Sequence, residues 1–273
     1  MKQDTRWVRL SSIIVALFIV LPLLWMLITS FKSPSQVGIT PPPWLPHPFT
    51  WVNYRMSFTY FGFQRYFLNS VIVAVSSTLA VLLLGTGAGY ALARTPVRGR
   101  MALMVGLLVI SVFPEIAVIS PLYLLMRLLG WLDTYQGLIV PYTAFNLPFS
   151  IWILRNYFLS IPREMEEVAQ IDGASPFRTV VSVILPQSTP GLFTAAVFTF
   201  TATWTEFLMA LTIDSSTPFR TIPVGIALFG AEFTVPYGNI FAASVISIVP
   251  IALMVLIFRN AIVSGLTQGA VKG

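Results

Sequence analysis

Leu10-Ser11-Ser12-Ile13-Ile14-Val15-Ala16-Leu17-Phe18-Ile19-Val20-Leu21-Pro22-Leu23-Leu24-Trp25-Met26-Leu27-Ile28 runs nineteen residues without a charge. As a helix rising 1.5 Å per residue it spans roughly 28 Å, about the hydrocarbon thickness of a bilayer. A helix satisfies its own backbone hydrogen bonds, which a segment in hydrocarbon must do. Lys2, Arg6 and Arg9 precede the run, as in a signal peptide. The run is too long for a signal core, however, and no Ala-x-Ala-like site comes after it, so it reads as an uncleaved first span.

Working outward, six apolar blocks occupy about 10–30, 68–93, 102–126, 137–155, 190–212 and 240–259. Each is long enough to cross as a helix, which predicts an all-α integral membrane protein with six transmembrane helices. The composition agrees. Of 273 residues 56% are hydrophobic and 10% charged, against roughly 25% charged in a soluble domain. The net charge of +6 does not indicate nucleic acid, because the basic residues stand singly between apolar blocks. With no cysteine, disulfides, thiolate catalysis and Cys-based metal sites are excluded. The single histidine, His47, stands in the Pro-rich stretch 41–48, where a solvated side chain is the ordinary reading.

Lys and Arg placement orients the chain. With the N-terminus in the cytosol, eleven of the sixteen basic residues fall on inner segments and five (Lys32, Arg55, Arg65, Arg127, Arg220) on outer ones. This predicts both termini inside. The outer connections at about 31–67 and 213–239 are long; they suit either contact with an extracytoplasmic partner or passive linkage.

Small residues and prolines mark the spans. Gly85 and Gly89 share one helical face, so another helix can approach there. Pro114 and Pro121 interrupt the third span, and Pro141 and Pro148 the fourth, as kinks or as breaks lining a cavity. Two acids sit inside apolar blocks, Glu115 and Glu206. Such residues face a bundle interior or water, so a transport path or interhelical packing are both open. Tyr123, Asn146, Phe149, Phe200 and Trp204 are the neighbouring aromatic or polar candidates for a path that takes sugars.

The inner connection 160–187 reads as two short helices. Ser160 can cap the first and Pro162 fits its first turn. Glu164, Glu166 and Glu167 suit the positive end of its dipole. Ile161, Met165, Val168 and Ala169 make one apolar stripe. Gly173 can supply the left-handed residue that ends it, and Ser175-Pro176 begins the second. A stubby helix with no core of its own must cover the membrane domain's inner surface or enter a groove of another protein.

Glu167-Val168-Ala169, three residues, Gly173, nine residues, then Val183-Ile184-Leu185-Pro186 resembles the EAA signature of ABC-importer permeases, with Val168 and Val183 as departures. Ala88–Arg94, Pro121-Leu122-Tyr123, Leu132-Asp133-Thr134, Gly137-Leu138-Ile139, Trp204-Thr205-Glu206-Phe207 and Gly265–Gly273 are similar to the MalG-like branch of carbohydrate permeases. Thr205 stands where that branch usually has Asn. The resemblance implies a type I importer permease (MetI-like) fold with a cytosolic coupling helix, in a bacterial or archaeal inner membrane. It implies ATPase coupling through Glu166, Glu167, Val168, Ala169, Asp172, Gly173, Ala174 and Pro186. It also implies a C-terminal tail, 260–273, touching the ATPase through Gly265, Thr267, Gln268 and Gly269. The implied partners are a second, MalF-like permease, an ATPase dimer that uses ATP and Mg, a solute-binding protein and a sugar. No Gly-x-x-x-x-Gly-Lys-Ser/Thr loop occurs in the chain, so ATP chemistry is expected in trans and no cofactor is expected on this subunit. A secondary carrier or channel for a small polar solute is the rival, and it would transport alone.

Overall fold

The computed structural model describes residues 4–230 and 235–270, with side chains described for 7–230 and 235–259. The described residues form helices and no strands. In chain order they are α1 (Asp4–Ser30), α2 (Pro34–Val37), α3 (Val52–Thr59), α4 (Phe63–Arg94), α5 (Arg100–Val112), a 3₁₀ turn (Glu115–Val118), α6 (Ile119–Leu129), α7 (Tyr135–Ser160), α8 (Glu164–Ile171), α9 (Pro176–Thr179), a π turn (Val180–Ile184), α10 (Leu185–Gln187), α11 (Thr189–Thr205), α12 (Leu208–Ile213), α13 (Ile222–Ala227) and α14 (Tyr237–Ala270).

Four stretches are long and apolar enough to cross a membrane unbroken: Trp7–Ser30, Phe63–Arg94, Tyr135–Ser160 and Tyr237–Arg259. The other two apolar blocks differ from the single helices expected. The block at 102–126 is two helices meeting at 89°. Phe113 and Pro114 are both extended there, because a proline forces its predecessor out of helical geometry. In the block at 190–212, α11 stops at Thr205 and α12 restarts at Leu208. Upstream, the chain turns 76° between Pro176–Gln187 and Thr189–Thr205. Pro121 sits in the first turn of α6, where its missing N–H costs nothing. Pro141 and Pro148 do not interrupt the fourth block, since α7 runs continuously through both.

The chain divides into two compact units, with the divisions falling inside α4, α13 and α14. The first comprises residues 1–66 and 224–249. Its polar pin is Asn53, whose amide donates to the Ser30 and Lys32 carbonyls at the end of α1, at 2.9 and 2.7 Å. Asn239 donates in turn to the Asn53 carbonyl at 3.0 Å. A Cβ at Gly238 would lie 2.7 Å from the Asn53 amide, so only glycine admits this approach. The proline-rich segment folds back rather than hanging free. Trp44 meets Trp25 edge to face, and the buried Lys32 ammonium lies 4.0 Å from the Trp25 ring centroid.

The second unit comprises residues 67–223 and 250–273 and so contains the short helices α8, α9 and α10. Its centre is the contact of α4 with α7. A Cβ at Gly89 would lie 3.2 Å from the Arg155 amide nitrogen, and one at Gly85 3.3 Å from Leu154. The two glycines spaced for helix approach therefore do receive a helix. Around them a core forms from Ala93, Ile153, Leu154, Phe158, Ile161, Ile184 and Ala195. That core joins α4, α7 and α11 to the segment around α8–α10, so the short helices are seated on the membrane helices.

Candidate functional site

The short helices begin where α7 ends. Ser160 is the last residue of α7, not a cap of α8, and its hydroxyl donates back to the Tyr157 carbonyl at 2.7 Å. The N-cap of α8 is Arg163, which makes no side-chain cap bond. Glu164, Glu166 and Glu167 occupy the first turn, where the exposed N–H groups favour negative charge. Gly173 closes the helix at φ +83. Its N–H donates to the Gln170 carbonyl and that of Ala174 to the Ala169 carbonyl, at 3.0 and 2.9 Å. Ser175 then caps α9, accepting from the Arg178 amide at 3.3 Å, and Pro176 takes its first position.

The face that α8 buries differs from the expected stripe. Ile161 is buried, Met165 packs on the core and Ala169 is half-buried. Val168 points away and is 56% exposed. The reason is Glu166. Its carboxylate turns inward to the Arg94 Nε at 2.5 Å and accepts from the Tyr90 hydroxyl at 2.9 Å. Arg94 also donates to the Ile161 carbonyl at 2.9 Å. Both charged side chains are nearly enclosed, at 7% and 11% exposed. Seating this pair rolls the helix so that Val168 faces outward. Ile171 and Phe177 stand out on the same segment, 84% and 79% exposed. They were absent from the expected docking residues; their signal was a large apolar side chain on a helix whose buried face was already filled. Glu167, Asp172, Gly173 and Pro186 are exposed and Ala174 half-buried.

A second site lies in the same unit. A cavity of about 270 Å³ is lined by Glu115, Asn146 and Glu206, together with Tyr142, Phe145, Thr203 and the start of α12. The break between α11 and α12 shapes it. Glu206 Oε1 accepts from the Met209 amide at 2.8 Å, Oε2 from the Ala210 amide at 3.1 Å, and the Tyr142 hydroxyl donates to Oε2. The acid thus satisfies the opened backbone at the start of α12. A carboxylate three and four residues before two helical amides was the overlooked cue. Of the other path candidates, Phe200 and Trp204 stack on each other with centroids 5.2 Å apart, and Phe149 stacks on Trp152 at 6.1 Å. Those three and Tyr123 do not line the cavity. Gly265, Thr267, Gln268 and Gly269 fall on the last turns of α14, outside the residues whose side chains are described.

At the end of α12 lies a carboxylate of another kind. Asp214 is fully buried and neither oxygen has a hydrogen-bond partner. Burial pushes its pKa up to about 7. The Asp133 carboxylate adds to the shift; the amides of Thr134 and Asp133 pull the other way without closing a bond.

Residues 82–268 match the family model described as "Binding-protein-dependent transport system inner membrane component". The chain is 40% identical over 268 residues to the trehalose/maltose transport system permease protein MalG of Thermococcus litoralis, covering 97% of this chain and 95% of that one. It is 39% identical over 252 residues to the sulfoquinovosyl glycerol transport system permease protein SmoH of Agrobacterium fabrum, covering 92% and 88%. A chain from the crystal structure of a bacterial ABC transporter that imports the acidic polysaccharide alginate superposes with a TM-score of 0.80 at 22% identity, covering 95% and 98%.

Proposed function

The chain belongs to the family of binding-protein-dependent transport system inner membrane components, and on that premise we propose that it is the permease subunit of an ATP-driven importer that moves an oligosaccharide or glycoside. The printed functions of its relatives, transport of trehalose/maltose and of sulfoquinovosyl glycerol, support a sugar cargo. Its apolar helices make it a multi-pass membrane protein, and the basic-residue bias supports cytosolic termini.

One observation carries the coupling assignment. The helix α8 is fixed to α4 by an enclosed ion pair, yet presents Val168 and Ile171 outward beside Glu167, with Phe177 of α9 exposed just after it. An anchored helix with an uncovered apolar face transmits force from whatever grips it. The gripping partner is a dimer of ATPase subunits, assembled with a second, MalF-like permease and a solute-binding protein outside. No ATP or Mg binds this chain. Nucleotide-driven closure of the ATPase pushes α8, and the push passes through Arg94–Glu166 into α4 as a rigid-body step of alternating access. The cavity at Glu115, Asn146 and Glu206 lies on the transport path, with Asn146 and the free edge of Glu115 available to hydroxyl groups.

The chain has no cysteine, so single cysteines report cleanly. Ile171→Cys and Phe177→Cys should each crosslink to the co-purified ATPase, while Cys at the outer position Arg220 should not. Absence of any ATPase crosslink from both inner positions, with the complex intact, contradicts the coupling assignment.

A further inference from the structure

Four arginines of the second unit line one hollow, and a fifth, Arg155, stands near Arg100. Arg94 ends α4, Arg98 and Arg100 stand on the turn into α5, Arg155 lies on α7, and Arg163 precedes α8. The hollow, about 570 Å³, is lined by Arg94, Arg98, Arg100 and Arg163. Arg155 is close enough to Arg100 for their charges to interact, and its Nε is buried without a hydrogen-bond partner. A single acid answers this cluster. Glu166 is engaged by Arg94, and among the described residues no other ion pair forms. The N-terminus of α5 opens on the same turn, with Gly99 as a cap that offers no side chain and no acid in the first turn. The unneutralised cations that line the hollow and the uncapped helix start beside them together suit an anion.

The outer face of α5 beyond Arg100 narrows the choice of anion. Met101, Val105, Leu108 and Val112 recur at helical spacing along it and are 77%, 50%, 38% and 82% exposed. A soluble anion gains nothing from such a stripe; a molecule with a phosphate at one end and hydrocarbon at the other gains from both. We propose that this hollow binds the phosphate of an anionic phospholipid of the cytosolic leaflet, with an acyl chain along the α5 stripe. The leaflet rests on the orientation proposed above; the phosphate chemistry does not.

The test uses the full chain purified in mild detergent. Native mass spectrometry tracks retention of phosphatidylglycerol against phosphatidylcholine of matched chain length. The wild type should retain phosphatidylglycerol at least tenfold better. Arg98→Gln with Arg163→Gln should bring retention down to the phosphatidylcholine level. Both side chains are exposed, so the double variant should fold, and an unchanged melting curve verifies that. Arg65→Gln with Arg220→Gln should leave retention unaltered. Equal retention of the two lipids, or undiminished retention in the Arg98/Arg163 variant, overturns the proposal. Displacement by inorganic phosphate in the same concentration range would make the ligand a soluble phosphate and overturn the lipid assignment. Orientation is read separately, by labelling Arg98→Cys with a membrane-impermeant maleimide in inverted and right-side-out vesicles. Labelling only from the outer face would move the site to the outer leaflet while leaving the lipid measurement standing.

Discussion

Glu166 and Asp214 are both buried acids, and their surroundings give them opposite behaviour. Glu166 has a guanidinium and a phenol as partners, so its carboxylate is fixed in one place. Removing one partner of an enclosed ion pair leaves the other unpaired and costs roughly 3–5 kcal/mol. Glu166→Ala and Arg94→Ala should each lower the midpoint of thermal unfolding strongly. The double variant should lose far less than the two losses added, which a double-mutant cycle would measure. Asp214 has no such partner. Its folded pKa of about 7 exceeds the unfolded carboxylate value of 3.8. Between those values the folded state holds a proton that the unfolded state has released, so this group's contribution to stability is greatest below the lower pKa and falls as pH rises through 7. Melting curves from pH 5 to 8 should show that decline, and Asp214→Asn should flatten it.

The element scale turns on where helices stop. At Gly173 a left-handed residue ends α8, and its N–H bonds the Gln170 carbonyl. Proline can supply neither the angle nor the donor. Gly173→Pro should leave insertion intact but unseat α8 from α9, abolishing transport-coupled ATP hydrolysis in the reconstituted complex. The sequence made some element boundaries plain and hid others. Hydropathy located the apolar blocks because burial in lipid selects for composition over some twenty residues. Pro114 marked the break at Phe113-Pro114, because proline forces its predecessor out of helical geometry, whereas the restart after Glu206 stayed hidden because it carries no proline and alters no composition. The glycines at 85 and 89 were legible as a helix contact, since their spacing is local. The Arg94–Glu166 pair was not, since it joins positions 72 apart in the chain, and without it the roll of α8 and the exposure of Val168 could not be inferred.

For the whole molecule the claim is that the chain is a passive membrane mover, driven in trans through α8. It rests on family membership, on the lack of a phosphate-binding loop and on the anchored helix with its uncovered apolar face. The most direct measurement is uptake, into proteoliposomes, of the radiolabelled sugar that the co-expressed binding protein retains, with the chain reconstituted alone or with its ATPase, second permease and binding protein. The predicted result is ATP-dependent uptake by the complete assembly, no uptake by the chain alone under any ion gradient, and none by the assembly carrying Gly173→Pro. Uptake by the chain alone, or uptake by the assembly that ignores ATP, would contradict the account.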